Sequence, residues 1–206
     1  MGPIHGVDLP DFRQLDACTW VNDQGDAVTV SYFGLPPDLP APLEDLPRLR
    51  WEMAHGTARA GGTLVEANVQ WFGGLPALVQ INKFRNPDQQ TGLIFLGSFT
   101  VPRATCSVVV KVQSVELGTT GIRESTVALE VGFEQAFLPH PFAPELRGPL
   151  PFNRADDPCY DARFPQHPLS RARRLLGRLA STVRTDPAFA ALPPFVGPPP
   201  EPRTTR

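Results

Sequence analysis

Three charged residues, Glu116, Arg123 and Glu124, flank a pair of glycines in the stretch ELGTTGIRES, residues 116–125. Two readings fit such a pattern. A glycine-rich loop that opens a helix cradles phosphate, because the backbone can approach closely and free N–H groups point at the anion. That loop needs GxxxxGK[ST], yet Ile122 and Arg123 stand where the lysine and hydroxyl would be. The dinucleotide pattern GxGxxG is missing too. The other reading is a corner between two strands, with Gly118 and Gly121 supplying positive φ at no Cβ penalty. Glu116 then ends one alternating run, Ile122 begins the next, and Glu116 faces Arg123 across the hairpin end. The flanking alternation favours the corner.

His140 and His167 both sit beside proline, with Asp156, Asp157 and Asp161 close in sequence. Either could serve as a general base or a metal ligand. No HxH, HxxxH or HExxH spacing is present, so the expectation is histidines packed in turns and acids capping the next helix. Cys159, in DPCYD, could act as a nucleophile with His167, but the context matches no cysteine-protease signature. Ser98, in LGSF, lacks the GxSxG elbow. No catalytic residue, metal ligand or cofactor is assigned. Glu116, Arg123, Glu124 and His140 are the candidates to line a small-ligand pocket. Arg171, Arg174 and Arg178 form a stripe on a C-terminal helix, where charges near the N-terminus oppose the macrodipole. Either the aspartates at 156, 157 and 161 fold back onto them, or they are solvated, or they hold an acidic partner.

The elements that must position these groups follow from periodicity. ACTWV and AVTVSYF, split by NDQGD, read as a hairpin of strands near 17–22 and 27–33. The prolines of GLPPDLPAPLEDLP forbid regular structure until about Pro47. RLRWEMAHGTARA then reads as a helix, with Leu46, Leu49 and Met53 on one face and Gly61-Gly62 as its stop. TLVEANVQWF alternates at period two, with Val65, Val69 and Trp71 on one face, so Trp71 is expected in the core. ALVQINKFR, LIFLGSFTV, CSVVVKVQSVE and IRESTVALEV complete a five-strand antiparallel meander, with Gly97 marking a bend. Residues 133–168 are rich in proline and aromatics and read as a segment crossing the fold, anchored by Phe137, Phe142 and Phe152. PLSRARRLLGRLASTVR is the second main helix, with Ala172, Leu175, Leu176, Leu179 and Val183 on one face.

The totals set bounds. A chain of 206 residues can bury a sizeable core as one domain, here expected over 16–190, with 1–15 as a loosely attached arm and 191–206 as a mobile tail. The net charge of −2 gives no whole-chain reason to bind nucleic acid or an anionic membrane. No apolar run reaches the roughly 18 residues of a membrane span. Three cysteines, far apart, form no disulfide framework. These features point to a cytoplasmic chain.

The fold class expected is α+β: an N-terminal hairpin plus five-strand meander, with a main helix on each side. This order of elements, over residues 16–184, resembles the Mog1/PsbP-like α/β/α sandwich group. DARFPQHPLSRARRLLGRL is also similar to segments of uncharacterised bacterial proteins. Members of the sandwich group are mostly binding or accessory proteins, and the resemblance implies that class without assigning any site residue. The leading expectation is a non-enzymatic accessory protein that engages a protein partner through a sheet edge, the Pro/Phe-rich segment or the arginine helix. The alternatives are a small-ligand binder or enzyme with a pocket between sheet and crossing segment, and a structural subunit of a larger assembly.

Overall fold

Alternating valines build the centre of the molecule. In the computed structural model, which describes residues 2–198, Val108, Val110 and Val112 of one central strand are fully buried while Lys111 between them is exposed. In chain order the elements are β1 (Ile4–His5), β2 (Arg13–Asp16), β3 (Thr19–Val21), β4 (Ala27–Phe33), α1 (Leu46–Arg59), β5 (Thr63–Phe72), β6 (Leu75–Arg85), β7 (Leu93–Pro102) and β8 (Ser107–Val115). There follow α2 (Ile122–Val131), α3 (Phe133–Ala136), β9 (Phe137–Leu138), β10 (Phe152–Asn153), α4 (Pro168–Thr182), β11 (Arg184–Thr185) and α5 (Pro187–Ala190). The main sheet has seven antiparallel strands in the order β2-β3-β4-β8-β7-β6-β5. The fold is therefore α+β.

Successive residues of a strand face opposite sides, so one sheet can serve two cores. Ala77 and Ile81 of β6 join Phe95, Phe99 and the β8 valines against α4. Leu78, between them, joins Leu64, Ala67 and α1 residues Leu49 and Ala54 on the other side. The apolar face expected for α4 is the one it buries, through Ala172, Leu175, Leu176 and Leu179. At Gly97 the helix packs tightly: a Cβ there would lie 2.8 Å from Leu176 Cδ1.

Four expectations need correction. The meander has four strands, β5 to β8, because residues 122–131 are helical. Both sides of β8 are already occupied, by β7 and by β4, so no hydrogen-bonding edge is left beside it for a fifth ribbon. Arg123, Val127 and Ala128 then share the inward helical face. Second, of the expected loose arm 1–15, residues 2–15 are tied down: β1 pairs with β11, Leu9 is buried, and β2 forms the sheet edge, while residue 1 lies outside the described residues. Third, of the expected mobile tail 191–206, Pro194 bridges Arg103 and Phe195 is buried in the α1-side core, while 199–206 lie outside the described residues.

Fourth, Trp71 is 72 % exposed rather than in the core. A bulge between Leu64 and Glu66 shifts the register of β5. One extra residue moves side chains to the other face. Val65 thus joins Phe72 on the α4 side, whereas Ala67 and Val69 pack toward α1. Among the described residues, no helix is long and apolar enough to cross a membrane.

Candidate functional site

Glu116 follows directly on β8 and organises the loop after it. Its carboxylate is buried and accepts from two backbone amides, Leu93 N–H at 3.0 Å and Gly121 N–H at 2.6 Å. The first bond ties the loop to β7, and the second holds the residue that starts α2. Gly121 caps that helix with φ +73°, a conformation that carries a Cβ penalty for other residues. The two glycines do form a corner, but it joins a strand to a helix. A single carboxylate fixes its shape.

Arg123, one residue into the helix, turns away from Glu116 and is fully buried. Nε donates to the Ala155 carbonyl at 2.7 Å, and Nη2 to the Asp157 carbonyl at 2.9 Å. Nη1 reaches Asp161 Oδ1 at 2.8 Å and Ser170 Oγ at 2.7 Å. The planar guanidinium thereby bolts α2 to the turns at 154–161 and to the first turn of α4. It is not paired with Glu116 as a hairpin would require, and its donors face the interior.

Glu124 lies on the same turn and faces His167, the N-cap of α4. Its Oε1 is 3.3 Å from His167 Nε2, close enough for attraction but out of line for a full hydrogen bond. Burial works to raise the Glu124 carboxyl, but His167, the residue's own backbone and the Lys83 charge outweigh it, leaving the group below its ordinary value. His167 is held by an edge contact with Phe95 and accepts from the Leu169 amide through Nδ1 at 3.3 Å. One potential ligand atom from each of Glu116, Glu124 and His167 lies within 4.8 Å of the others. The trio separates two surface depressions of about 460 Å³ and 320 Å³, and Glu116 lines both.

Of the four residues expected around a small-ligand pocket, the structure brings Glu116 and Glu124 together, places Arg123 beneath them, and leaves His140 apart. His140 Nε2 contacts the Leu64 carbonyl at 3.0 Å, and Nδ1 accepts from Phe142 N–H at 3.2 Å, so both nitrogens are engaged. Burial pushes its pKa down. It clasps the crossing segment onto β5. His167 takes its place in the site. Along the chain His167 lies far from Glu116 and Glu124, so no spacing rule applied to the sequence picks it out.

The arginine stripe divides. Arg171 is buried, with Nε 3.0 Å from Asp26 and Nη2 donating to the Val115 carbonyl at 2.8 Å. Its donors go to Asp26, the Gln166 carbonyl and the end of β8. Arg174 donates to the Pro165 carbonyl at 3.2 Å, and Arg178 contacts Asp11 at 3.4 Å. Both line a depression of mixed charge with Asp11 and Asp23. The aspartates do fold back, though onto neighbouring groups: Asp161 pairs with Arg123 and Arg173, and Asp156 with Lys83 at 2.5 Å.

Beside the polar trio lies an apolar surface. Ile122 and Leu129 are seven residues apart on α2, hence about 20° apart around the axis. They are 50 % and 72 % exposed and sit opposite the buried Arg123, Val127 and Ala128. Phe133 and Phe137 continue the exposed series at 64 % and 54 %. No protein-family model matches this chain, no curated protein matches it, and no solved structure matches it.

Proposed function

We propose that this chain is a non-enzymatic binding protein that engages a protein partner through the exposed surface of α2, α3 and the start of β9. One observation carries the reading: Ile122, Leu129, Phe133 and Phe137 expose large apolar side chains in series along a short part of the chain. Burying a fully exposed side chain of this kind is worth about 1.5–3 kcal/mol, and these, 50–72 % exposed, still stand to gain half of that or more. Aromatic and branched anchors ringed by polar groups are what protein interfaces use at their centres. Glu130, Arg163 and Glu134 supply polar groups near the series.

The other routes considered for a partner are less suited. Arg171 spends its donors inside the fold. On edge strand β5 the Leu64 and Ala67 carbonyls already accept from His140 and Arg50 side chains, which blunts strand addition.

A photo-reactive phenylalanine analogue placed at Leu129 or at Phe133, in the native cell, tests it. The expected result is one discrete heavier adduct of the same composition from both positions. It should be absent with the probe at exposed Lys111 and abolished at Phe133 by Leu129→Glu. No adduct at either position, or the same products at Lys111, overturns the proposal. An adduct of two copies of this chain makes the face a self-association surface and overturns it as well.

A further inference from the structure

We infer that Glu116, Glu124 and His167 form a binding site for a divalent transition-metal cation of the zinc class. Two observations combine. The three side chains offer ligand atoms within 4.8 Å of one another. Independently, His167 Nε2 is buried and lacks a hydrogen-bond partner among the described residues, although its side chain is only 6 % exposed. Glu124 Oε2 is in the same condition. A buried polar atom without a partner is uncommon and calls for an explanation, of which a bound ion is one. Here two such atoms belong to neighbouring side chains that converge with a second carboxylate.

The donor set selects the ion. Magnesium and calcium prefer cages made only of oxygen. One imidazole nitrogen with two carboxylates suits zinc, cobalt or a similar ion. Bonds of about 2.0–2.2 Å place tetrahedral ligand atoms about 3.3–3.6 Å apart. Glu124 and His167 are already that close, at 3.3 Å, all three ligand atoms lie within 4.8 Å of one another, and Glu124 Oε2 has no hydrogen-bond partner among the described residues to give up. Glu116 is already oriented by the Leu93 and Gly121 amides, as ligating carboxylates commonly are. Three protein ligands leave a position open toward the flanking depressions.

The local charge agrees. Two carboxylates meet one imidazole here, while the neighbouring Arg123 directs its guanidinium to Asp161, Ser170 and two carbonyls. A dication neutralises the pair. Nδ1 of His167 accepts from Leu169 N–H, so in the metal-free ring the proton resides on Nε2. Ligation through Nε2 moves that proton to Nδ1, and the Leu169 amide, a long donor at 3.3 Å, gives up its acceptor. The Leu169 amide therefore reports on metal binding.

The test uses the full chain, purified and stripped with chelator. It is titrated with Zn²⁺ by calorimetry and with Co²⁺ by visible absorption. The expected result is one ion per chain, d–d bands of low-symmetry nitrogen and oxygen ligation, and a shift of the Leu169 amide resonance. Glu124→Gln keeps the shape but weakens a ligand. His167→Asn removes the imidazole while retaining a good helix cap. Each should weaken binding about tenfold or more, with an unchanged circular dichroism spectrum. Glu130→Gln, at a carboxylate paired with Arg163, should leave binding as it was. Absence of binding at about 100 µM Zn²⁺, or binding that survives both site substitutions, overturns the inference.

Discussion

Replacing Arg123 by methionine removes the bolt beneath α2 while nearly conserving volume. The cost can be worked from its partners. Asp161 keeps Arg173 at 2.8 Å and Ser170 at 3.0 Å, so its charge is not abandoned. The Asp157 carbonyl keeps a donor in the Tyr160 amide at 3.3 Å. The Ala155 carbonyl, buried, loses the guanidinium, and an unsatisfied buried acceptor costs about 1–3 kcal/mol. Losing one partner of a buried ion pair costs about 3–5 kcal/mol, reduced here by the arginine that remains. The expected loss is about 3 kcal/mol, a large fraction of the roughly 5–15 kcal/mol that holds a typical domain folded. Urea unfolding followed by circular dichroism and tryptophan fluorescence measures it by linear extrapolation. Arg123→Lys should recover less than half, because an ammonium cannot reproduce a fork that spans four acceptors. A loss under about 1 kcal/mol for the methionine variant, or full recovery by lysine, refutes the view that this side chain anchors the helix.

Two further outcomes follow from packing and protonation. Gly97→Ala should destabilise by about 1–3 kcal/mol in the same urea assay, because its Cβ would meet Leu176 Cδ1 at 2.8 Å and Cγ at 3.2 Å on α4. His140 has a pKa lowered by burial, so protons favour the unfolded chain: its contribution is complete above the ordinary histidine value of about 6.5 and is lost as pH falls through the lower folded value. Wild-type stability should therefore decline below about pH 6.5, and His140→Asn should flatten that decline in a pH series of melts, whereas an equally steep decline would show that other groups carry it.

Periodicity was enough to place β5 through β8 and α4: β8 and α4 hide one side, while β5 and β6 put apolar residues against cores on both faces of the sheet. It also marked Gly118 and Gly121 as a corner, since positive φ is a local demand. What came next was not local. IRESTVALEV carries apolar residues compatible with either period, and β4 decided the matter by occupying the free edge of β8. The bulge in β5 likewise put Trp71 on a different face from Val65, where it is not part of the α1-side core.

Glu116 and Glu124 were legible as site candidates because they stand close together in the chain. His167 was legible as a lone histidine but not as their neighbour, and the bonds that draw Arg171 to Asp26 and Arg123 to Asp161 were not legible, because they join residues far apart in sequence. The sequence by itself determined which segments must hide a face and where the backbone must turn. Only the tertiary structure decided which charges ended buried against each other and which were left facing a common point. The strength of a charge pair depends on distance and on exclusion of water, and both are set by the packing of the whole chain.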